Sequence, residues 1–215
     1  MRQIPLRNLI LALVVGVLAL IDLSARADTA LMQARRSAAS DGTSLAGRLL
    51  VATPDMGDPR FARTVIFMAR HDDGGALGLV INRVVGTLDP DVIAKRYGGK
   101  ATEPSASVTV HYGGPVSPRT GFIIHSDERV ADGTIAQFDG IAINNSVDML
   151  LAIAQGSGPD RFMVMFGYAG WAAGQLESEL AAGAWVVASA DFDFVFDPDH
   201  QGKWQRAYDR RMIEL

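Results

Sequence analysis

Two hydrophobic periods run along the chain, and they predict which segments form strands and which form helices. Short apolar runs rich in Val, Ile and Leu have the length and the β-branched content of strands. The predicted strands cover residues 48–52, 64–69, 76–81, 107–111, 121–125, 161–166 and 184–188. The clearest helix follows Asn145 or Ser146, because Val147, Leu150, Leu151 and Ala154 recur at helical spacing before Gly156. Shorter helices are predicted over residues 88–97, 172–182 and 203–213.

The order of these elements indicates the fold class. Asp73-Gly74 stands between two apolar runs and predicts a β-hairpin, because Gly accepts the positive φ of a tight turn. Strands come in hairpin-like pairs in the first half and alternate with helices in the second. This order favours a mixed sheet in an α+β fold over a doubly wound parallel sheet.

The segment Asp191–Asp199 alternates acidic and aromatic residues, and a period of two predicts a half-buried strand with the Phe side inward. A calcium loop would need a central Gly and a terminal Glu, which this segment lacks. The four His residues form no H-x-x-x-H or H-E-x-x-H pattern. The sequence therefore predicts no metal site, and nothing in it calls for a cofactor.

The N-terminus predicts an export signal. Arg2 and Arg7 precede an apolar run over Leu9–Ile21, and Ala25-Arg26-Ala27 is a small-x-small cleavage site. The apolar run is shorter than the ~20 residues that span a bilayer, so an uncleaved anchor is the second choice. The predicted organisation is a signal peptide over 1–27, a flexible linker over 28–44 and one folded domain over 45–215. The expected location is periplasmic or secreted; the alternative is a cytoplasmic protein that starts at Met32.

Charge and composition narrow the function classes. Hydrophobic residues make up 48% of the chain, charged residues 20%, and there is no Cys, which excludes disulfides and thiolate chemistry. The net charge is −4, and residues 1–27 contribute +2 from three Arg and one Asp, so the remainder carries −6. An acidic domain repels phosphate backbones, which disfavours nucleic acid as a partner.

Two glycine-rich strings are the best candidates for a binding site. Gly167–Trp171 is predicted to be a strand-to-helix turn, where backbone N–H groups can hold an anion between aromatic walls. Tyr112–Val116 is a similar turn, and the two could line one cleft. The alternative is that the glycines permit close packing while the aromatics fill the core. The candidate ligand-binding residues are Tyr112, Gly113, Gly114, His125, Tyr168, Gly170 and Trp171.

No catalytic residue can be assigned from the sequence. It contains no G-x-S-x-G, no phosphate loop and no dinucleotide-binding G-x-G-x-x-G. An enzyme of hydrolase type would have to pair His111 or His125 with a carboxylate such as Asp58. Satisfied structural histidines are the alternative.

Several strings in order resemble the YqgE/AlgH family of bacterial proteins. They begin with Gly47–Pro54 and Gly75–Asn82, continue with Tyr112–Val116, and end with Gly167–Glu177 before Trp185 and Trp204. The resemblance implies a compact α+β domain whose sheets curl into a partial barrel with helices packed outside. It implies no established activity, no defined catalytic residues and a proposed regulatory role.

The leading expectation is therefore a non-enzymatic, regulatory protein that binds a small ligand or a protein partner. The alternatives are the hydrolase-like enzyme above and a transcriptional regulator that contacts DNA, which the acidic charge disfavours.

Overall fold

The computed structural model describes residues 44–97 and 107–211, and the predictions for the signal peptide and for most of the linker lie outside these ranges. Ten strands are present in them: β1 Leu49–Ala52, β2 Val65–Asp72, β3 Gly75–Val80, β4 Val84–Leu88, β5 Val108–Tyr112, β6 Val116–Ser126, β7 Thr134–Phe138, β8 Ile141–Asn144, β9 Phe162–Trp171 and β10 Trp185–Ala188. The α-helices are α1 Pro90–Arg96, α2 Val147–Ala154, α3 Gln175–Ala181, α4 Phe192–Val195 and α5 Lys203–Asp209, with a 3-10 turn at Asp127–Arg129.

The strands form one largely antiparallel sheet that curls into a half-barrel. This agrees with the α+β class predicted from the order of the elements and with the partial barrel that the family resemblance implies. The order along its main path is β10-β1-β2-β3-β9-β6-β8-β7, and β5 joins β9 and β4 beside that path. The β5–β9 pair is parallel and makes the sheet mixed. No helix within the described ranges is long and apolar enough to cross a membrane.

Side chains on the two faces of the sheet form separate apolar cores. The largest core joins strand residues such as Phe67, Ile124 and Met165 to Phe194 and Trp204 from the C-terminal helices. A second core on the opposite face contains Ile66, Met68, Trp171 and Trp185. The alternation of neighbours Ile66 and Phe67 between these cores follows from the two-residue repeat of a strand.

The local predictions hold where turn and cap chemistry decide the structure. Asp73-Gly74 forms the two-residue turn between β2 and β3. The Ser146 hydroxyl accepts from the Met149 N–H and caps α2, while Gly183 follows α3 with a φ of 76°. The predicted apolar face of α2 is wrong in part, because its buried residues are Met149, Ile153 and Ala154 and Val147 is exposed.

Two other predictions are wrong. Residues 191–199 do not form a strand, because the Asp191 carboxylate accepts from the Phe194 N–H and caps the four-residue helix α4. Gly167–Trp171 is not a strand-to-helix turn, because it completes strand β9, and the turn to α3 begins only at Ala172. Strands β4, β7 and β8 were not predicted at all.

Candidate functional site: a groove where the sheet divides

Strand β9 is the point at which the sheet divides. Along one side, its N-terminal half pairs with β5, with Tyr112 opposite Phe166, and its C-terminal half pairs with β3, with Gly78 opposite Ala169. The chain crosses from β3 to β4 through Asn82 and Arg83, and the Tyr112 N–H donates to the Arg83 carbonyl oxygen at 2.8 Å. This crossing leaves the edges of two sheet segments beside each other.

The two glycine motifs meet at this division through their backbones. A Cβ on Gly113 would lie 2.2 Å from the Gly167 carbonyl oxygen, and one on Gly114 would lie 2.1 Å from the Tyr168 carbonyl carbon. Gly167 adopts a φ of 75°, where the long bulge of β6 between Val116 and Gly121 lies opposite it. The glycines thus permit close packing of two chain segments, and the space between them is filled by backbone.

An open groove of about 790 Å³ lies over the crossing, and we call it the junction groove. Its lining residues are Asn82, Arg83, Val84, Val85, Tyr112, Pro198, Asp199, His200 and Gln201. Two of its apolar side chains are unusually open to solvent, since Val84 is 46% exposed and Val85 is 64% exposed. Apolar surface combined with a few polar groups in a concave site is typical of a binding surface.

His200, which lines the groove, lies beside the buried His111. The rings of His111 and His200 contact edge to face with centroids 4.9 Å apart. His111 Nδ1 lies 3.2 Å from the Val164 carbonyl oxygen and therefore carries the donated proton, while its buried Nε2 has no hydrogen-bond partner. Burial lowers the pKa of His111 to about 4, and burial also lowers the pKa of His200. Both rings are therefore neutral at pH 7.

Lys203 is a fully buried cation in the same region. Its Nζ donates to the Val195 carbonyl oxygen at 2.8 Å, at the C-terminal end of α4. Burial lowers the pKa of Lys203 to about 8, and Asp197 opposes that change. Arg206 holds both Asp197 and Asp199 in ion pairs, so the loop that forms one wall of the junction groove is tied to α5.

We expect acid to destabilise the protein through His111. The pKa of His111 is depressed on folding, so the unfolded chain binds a proton first, and stability falls as pH drops below 6.5 towards 4. The loss through this group should reach up to about 3 kcal/mol at pH 4. Urea unfolding at pH 6.5 and 4.5 checks this, with His111→Asn as the comparison because its side-chain amide can still donate to Val164. An equal acid-induced loss in the wild type and the variant would contradict the assignment.

Trp171, a predicted ligand residue, belongs to the core. It is 7% exposed, and its ring packs edge to face on Trp185 at 5.9 Å. One oxygen of Glu179, Oε2, accepts from both indoles, at 2.9 Å from Trp171 Nε1 and 2.7 Å from Trp185 Nε1. A single carboxylate therefore satisfies both buried indole N–H groups, as buried Trp requires.

The structure brings only part of the predicted ligand set together. Tyr112 lines the junction groove, and Gly113 and Gly114 lie at the sheet division beside it. Tyr168 is half-buried and contacts Phe122 ring to ring at 6.0 Å. A Cβ on Gly170 would meet the Tyr168 ring at 3.0 Å.

His125 lies apart from the other six candidates. It is fully buried and pairs with Phe162, which lies at the opposite end of β9 from Trp171. Its Nδ1 lies 2.8 Å from the Ser126 carbonyl oxygen. The seven residues therefore do not line one small pocket, and ligand binding by any of them stays a prediction.

Within residues 44–97 and 107–211, neither His111 nor His125 has a hydrogen bond or ion pair with a carboxylate, and the same ranges contain no cluster of three metal-ligating side chains. His71 is the histidine that does pair, at 2.7 Å from Glu177, and it also accepts from the Leu45 N–H at 3.1 Å. These contacts tie the start of the domain to the β2–β3 turn and to α3.

Sequence reasoning missed most of the junction groove. Residues 82–85 follow a strand without any unusual motif, and residues 198–201 lie over 110 positions later. Pro198 and Asp199 were assigned to the end of the predicted strand over Asp191–Asp199, and His200 and Gln201 belonged to no predicted site.

Together, the half-barrel and the groove beside its division define an α+β domain with an open, partly apolar groove on its surface. The chain belongs to the AlgH-like family, whose model matches residues 49–215. This confirms the resemblance identified from the sequence. No specific activity is established for this family.

Individual relatives agree with that assignment. A UPF0301 protein of Afipia carboxidovorans is 41% identical over 187 residues, which cover 83% of this chain and 89% of the relative. A UPF0301 protein of Caulobacter vibrioides is 41% identical over 169 residues, covering 78% of this chain and 87% of the relative. The solution structure of the AlgH protein from Pseudomonas aeruginosa matches with a TM-score of 0.68 at 36% identity, over 80% of this chain and 90% of that one. A Corynebacterium diphtheriae protein shares the fold, with a TM-score of 0.60 at 22% identity over 83% and 92% of the two chains.

Proposed function

We propose that this protein is a non-enzymatic binding protein with a regulatory role, and that a ligand or protein partner occupies the junction groove. The observation that carries the proposal is the groove itself, in which Val84 and Val85 are left exposed beside Tyr112 at the division of the sheet. Exposed aliphatic side chains lose water on contact with a partner, which favours binding by about 25 cal/mol for each Å² buried.

The charged side chains in and beside the groove form hydrogen bonds and ion pairs within the protein. Arg83 donates to the Arg60 carbonyl oxygen at 2.6 Å and to the Ala62 carbonyl oxygen at 2.9 Å. Asp199 pairs with Arg206, and Lys203 is bonded to Val195. A general acid or base must reach a reacting atom, and these groups are held by the fold instead. This distribution supports binding over the hydrolase-like alternative.

The basic side chains also support a partner other than DNA. Arg60 pairs with Asp58, Arg210 pairs with Asp191, and Arg206 pairs with two carboxylates. These ion pairs and the net charge of −6 over residues 28–215 weaken the attraction of the protein as a whole for a phosphate backbone. We therefore propose that the protein regulates by binding a ligand or a protein and not by binding DNA.

A thermal-shift screen of a metabolite and peptide library tests the proposal. A binder present at 100 times its Kd should add about 2.7 kcal/mol, which is about 5–10 °C in Tm for a domain of this size. The matched variants are Val85→Asp inside the groove and Val130→Asp, a 52% exposed Val beyond the far end of β6. Binding should be lost in Val85→Asp and retained in Val130→Asp. A binder that is equally affected by both changes, or no saturable binder, would contradict the proposal.

A further inference from the structure

Strand β4 has one unpaired edge among the residues that the structure describes. It pairs with β5 on one side and with no other strand. Its first four residues are exposed, and its sequence Val-Val-Gly-Thr-Leu contains no charged residue and no Pro. Proteins usually protect an edge strand with charged residues, Pro or a β-bulge. β4 has no charged residue and no Pro, and its one irregularity lies between Val84 and Gly86, so the Gly86–Leu88 part of the edge is regular and suited to pairing with another chain.

The register shows which backbone groups point outward. The Tyr112 N–H donates to the Arg83 carbonyl oxygen, so the backbone N–H and C=O of Tyr112 point towards β4. Backbone direction alternates along β5, so the N–H and C=O of Val110 and Val108 also point towards β4. Thr109 faces β9 instead, and Thr87 lies opposite Thr109. The N–H and C=O of Thr87 therefore point away from β5, towards the unpaired edge.

A groove lies at each end of this edge. Val84 and Val85 line the junction groove at the N-terminal end. Leu88 lines a second groove of about 550 Å³ at the C-terminal end, which we call the helix groove. The other residues of the helix groove are Val92, Ile93, Lys95, Arg96, Tyr97, Leu150 and Phe166. The five residues of β4 span about 17 Å, so one extended segment of that length reaches both grooves.

The charges along this surface differ from those of the protein as a whole. The chain carries a net charge of −4. The two grooves contain the cations Arg83, Lys95 and Arg96, and their one carboxylate, Asp199, is already paired with Arg206. Lys95 lies 3.9 Å from Asp91, a distance at which an exposed pair contributes little. The surface is thus locally cationic as well as apolar.

We propose that β4 is a docking strand for an extended segment of a partner protein that is apolar and carries acidic residues. The segment adds to the free edge of β4 by main-chain hydrogen bonds, including those to Thr87. Its apolar side chains enter the two grooves, and its carboxylates lie near Lys95 and Arg96. Strand addition supplies affinity through the backbone, while the grooves supply specificity. This inference rests on the proposed function and names the class of its partner.

A displayed library of random twelve-residue peptides, selected on the full chain, tests the proposal. The decisive variant is Thr87→Pro, which removes the outward N–H and keeps the β4–β5 ladder, and the matched control is Thr87→Val. Selected peptides should be apolar and acidic, and fluorescence anisotropy should show at least about tenfold weaker binding to Thr87→Pro with little change for Thr87→Val. Peptides N-methylated at alternate residues should not bind the wild type, because they lack the N–H groups that pair with β4. This measurement tests the main-chain hydrogen bonds even if Thr87→Pro does not fold.

A charge variant tests the acidic character independently. Lys95→Glu with Arg96→Glu should weaken binding by about fivefold or more at low salt, and the distant Arg129→Glu should not. Basic peptides, no peptides, or binding that Thr87→Pro and N-methylation leave unchanged would each overturn the docking strand. Failure of the proposed function gives a different result. A binder whose affinity is unchanged by Val85→Asp refutes binding in the junction groove, independently of its affinity for Thr87→Pro.

Discussion

Replacing Trp171 with Ala should lower the free energy of unfolding by about 3–5 kcal/mol. The indole is 7% exposed, it packs on Trp185, and its N–H is satisfied by Glu179. Truncation leaves a cavity in the core that also contains Ile66 and Met68. Urea unfolding of the wild type and the variant, followed by far-UV circular dichroism, measures the difference.

Two further variants separate the contributions to this loss. Trp171→Phe keeps most of the buried area and removes the N–H, so it should cost about 1–2 kcal/mol. Phe162→Ala truncates an aromatic that is 37% exposed on the same strand, and its effect should be clearly smaller than that of Trp171→Ala. A loss below about 1 kcal/mol for Trp171→Ala would favour a ligand role for the ring instead.

Adding a methyl group at the crossing of the two glycine motifs should be nearly as damaging. Gly167→Ala places a Cβ 2.2 Å from the Gly114 carbonyl oxygen on a backbone with a φ of 75°. Overpacking costs about 1–3 kcal/mol, and the left-handed backbone adds about 1–2 kcal/mol for a residue with a Cβ. We therefore expect a total loss of about 2–5 kcal/mol in urea unfolding.

The matched control for this substitution is Gly57→Ala. A Cβ at Gly57 meets nothing within 4 Å, and its φ is not in the left-handed range. Its stability should stay within about 0.5 kcal/mol of the wild type. Equal stabilities for Gly167→Ala and Gly57→Ala would show that the glycine crossing is not a packing constraint.

The parts of the fold that local chemistry decides were predictable from the sequence. Asp73-Gly74 specified a two-residue hairpin turn, and Ser146 marked the start of α2. Both depend on residues close in sequence, whose preferences act before tertiary packing. The α+β class followed from the order of the elements, and the half-barrel came from the family resemblance alone.

The Gly167–Trp171 prediction failed because local sequence does not show what approaches a glycine. Two glycines between aromatics resemble a turn, yet here Gly167 lets strand β9 pass close to Gly113 and Gly114. The contacts join positions about fifty residues apart, and no short window contains that information. Gly167–Trp171 therefore looked like a ligand-binding loop in the sequence, although in the structure it packs as part of strand β9.

The strand predicted over Asp191–Asp199 is absent because Asp191 caps a short helix there, although acidic and aromatic residues alternate along the segment. Asp191 caps α4, while Asp197 and Asp199 bind Arg206 on α5. These three Asp residues thus have specific partners and are not the solvent face of a strand. The same segment provides Pro198, Asp199 and His200 to the junction groove, which therefore could not be assembled from the sequence.

The most direct test of the junction groove is a titration of the isotope-labelled full chain with the strongest binder from the thermal-shift screen, followed through backbone amide chemical shifts. We predict saturable shifts at residues 82–85, at Tyr112 and at His200, with one Kd for all of them. Shifts confined to Trp171 and α3, with the amides of residues 82–85 unchanged, would contradict the proposed binding surface.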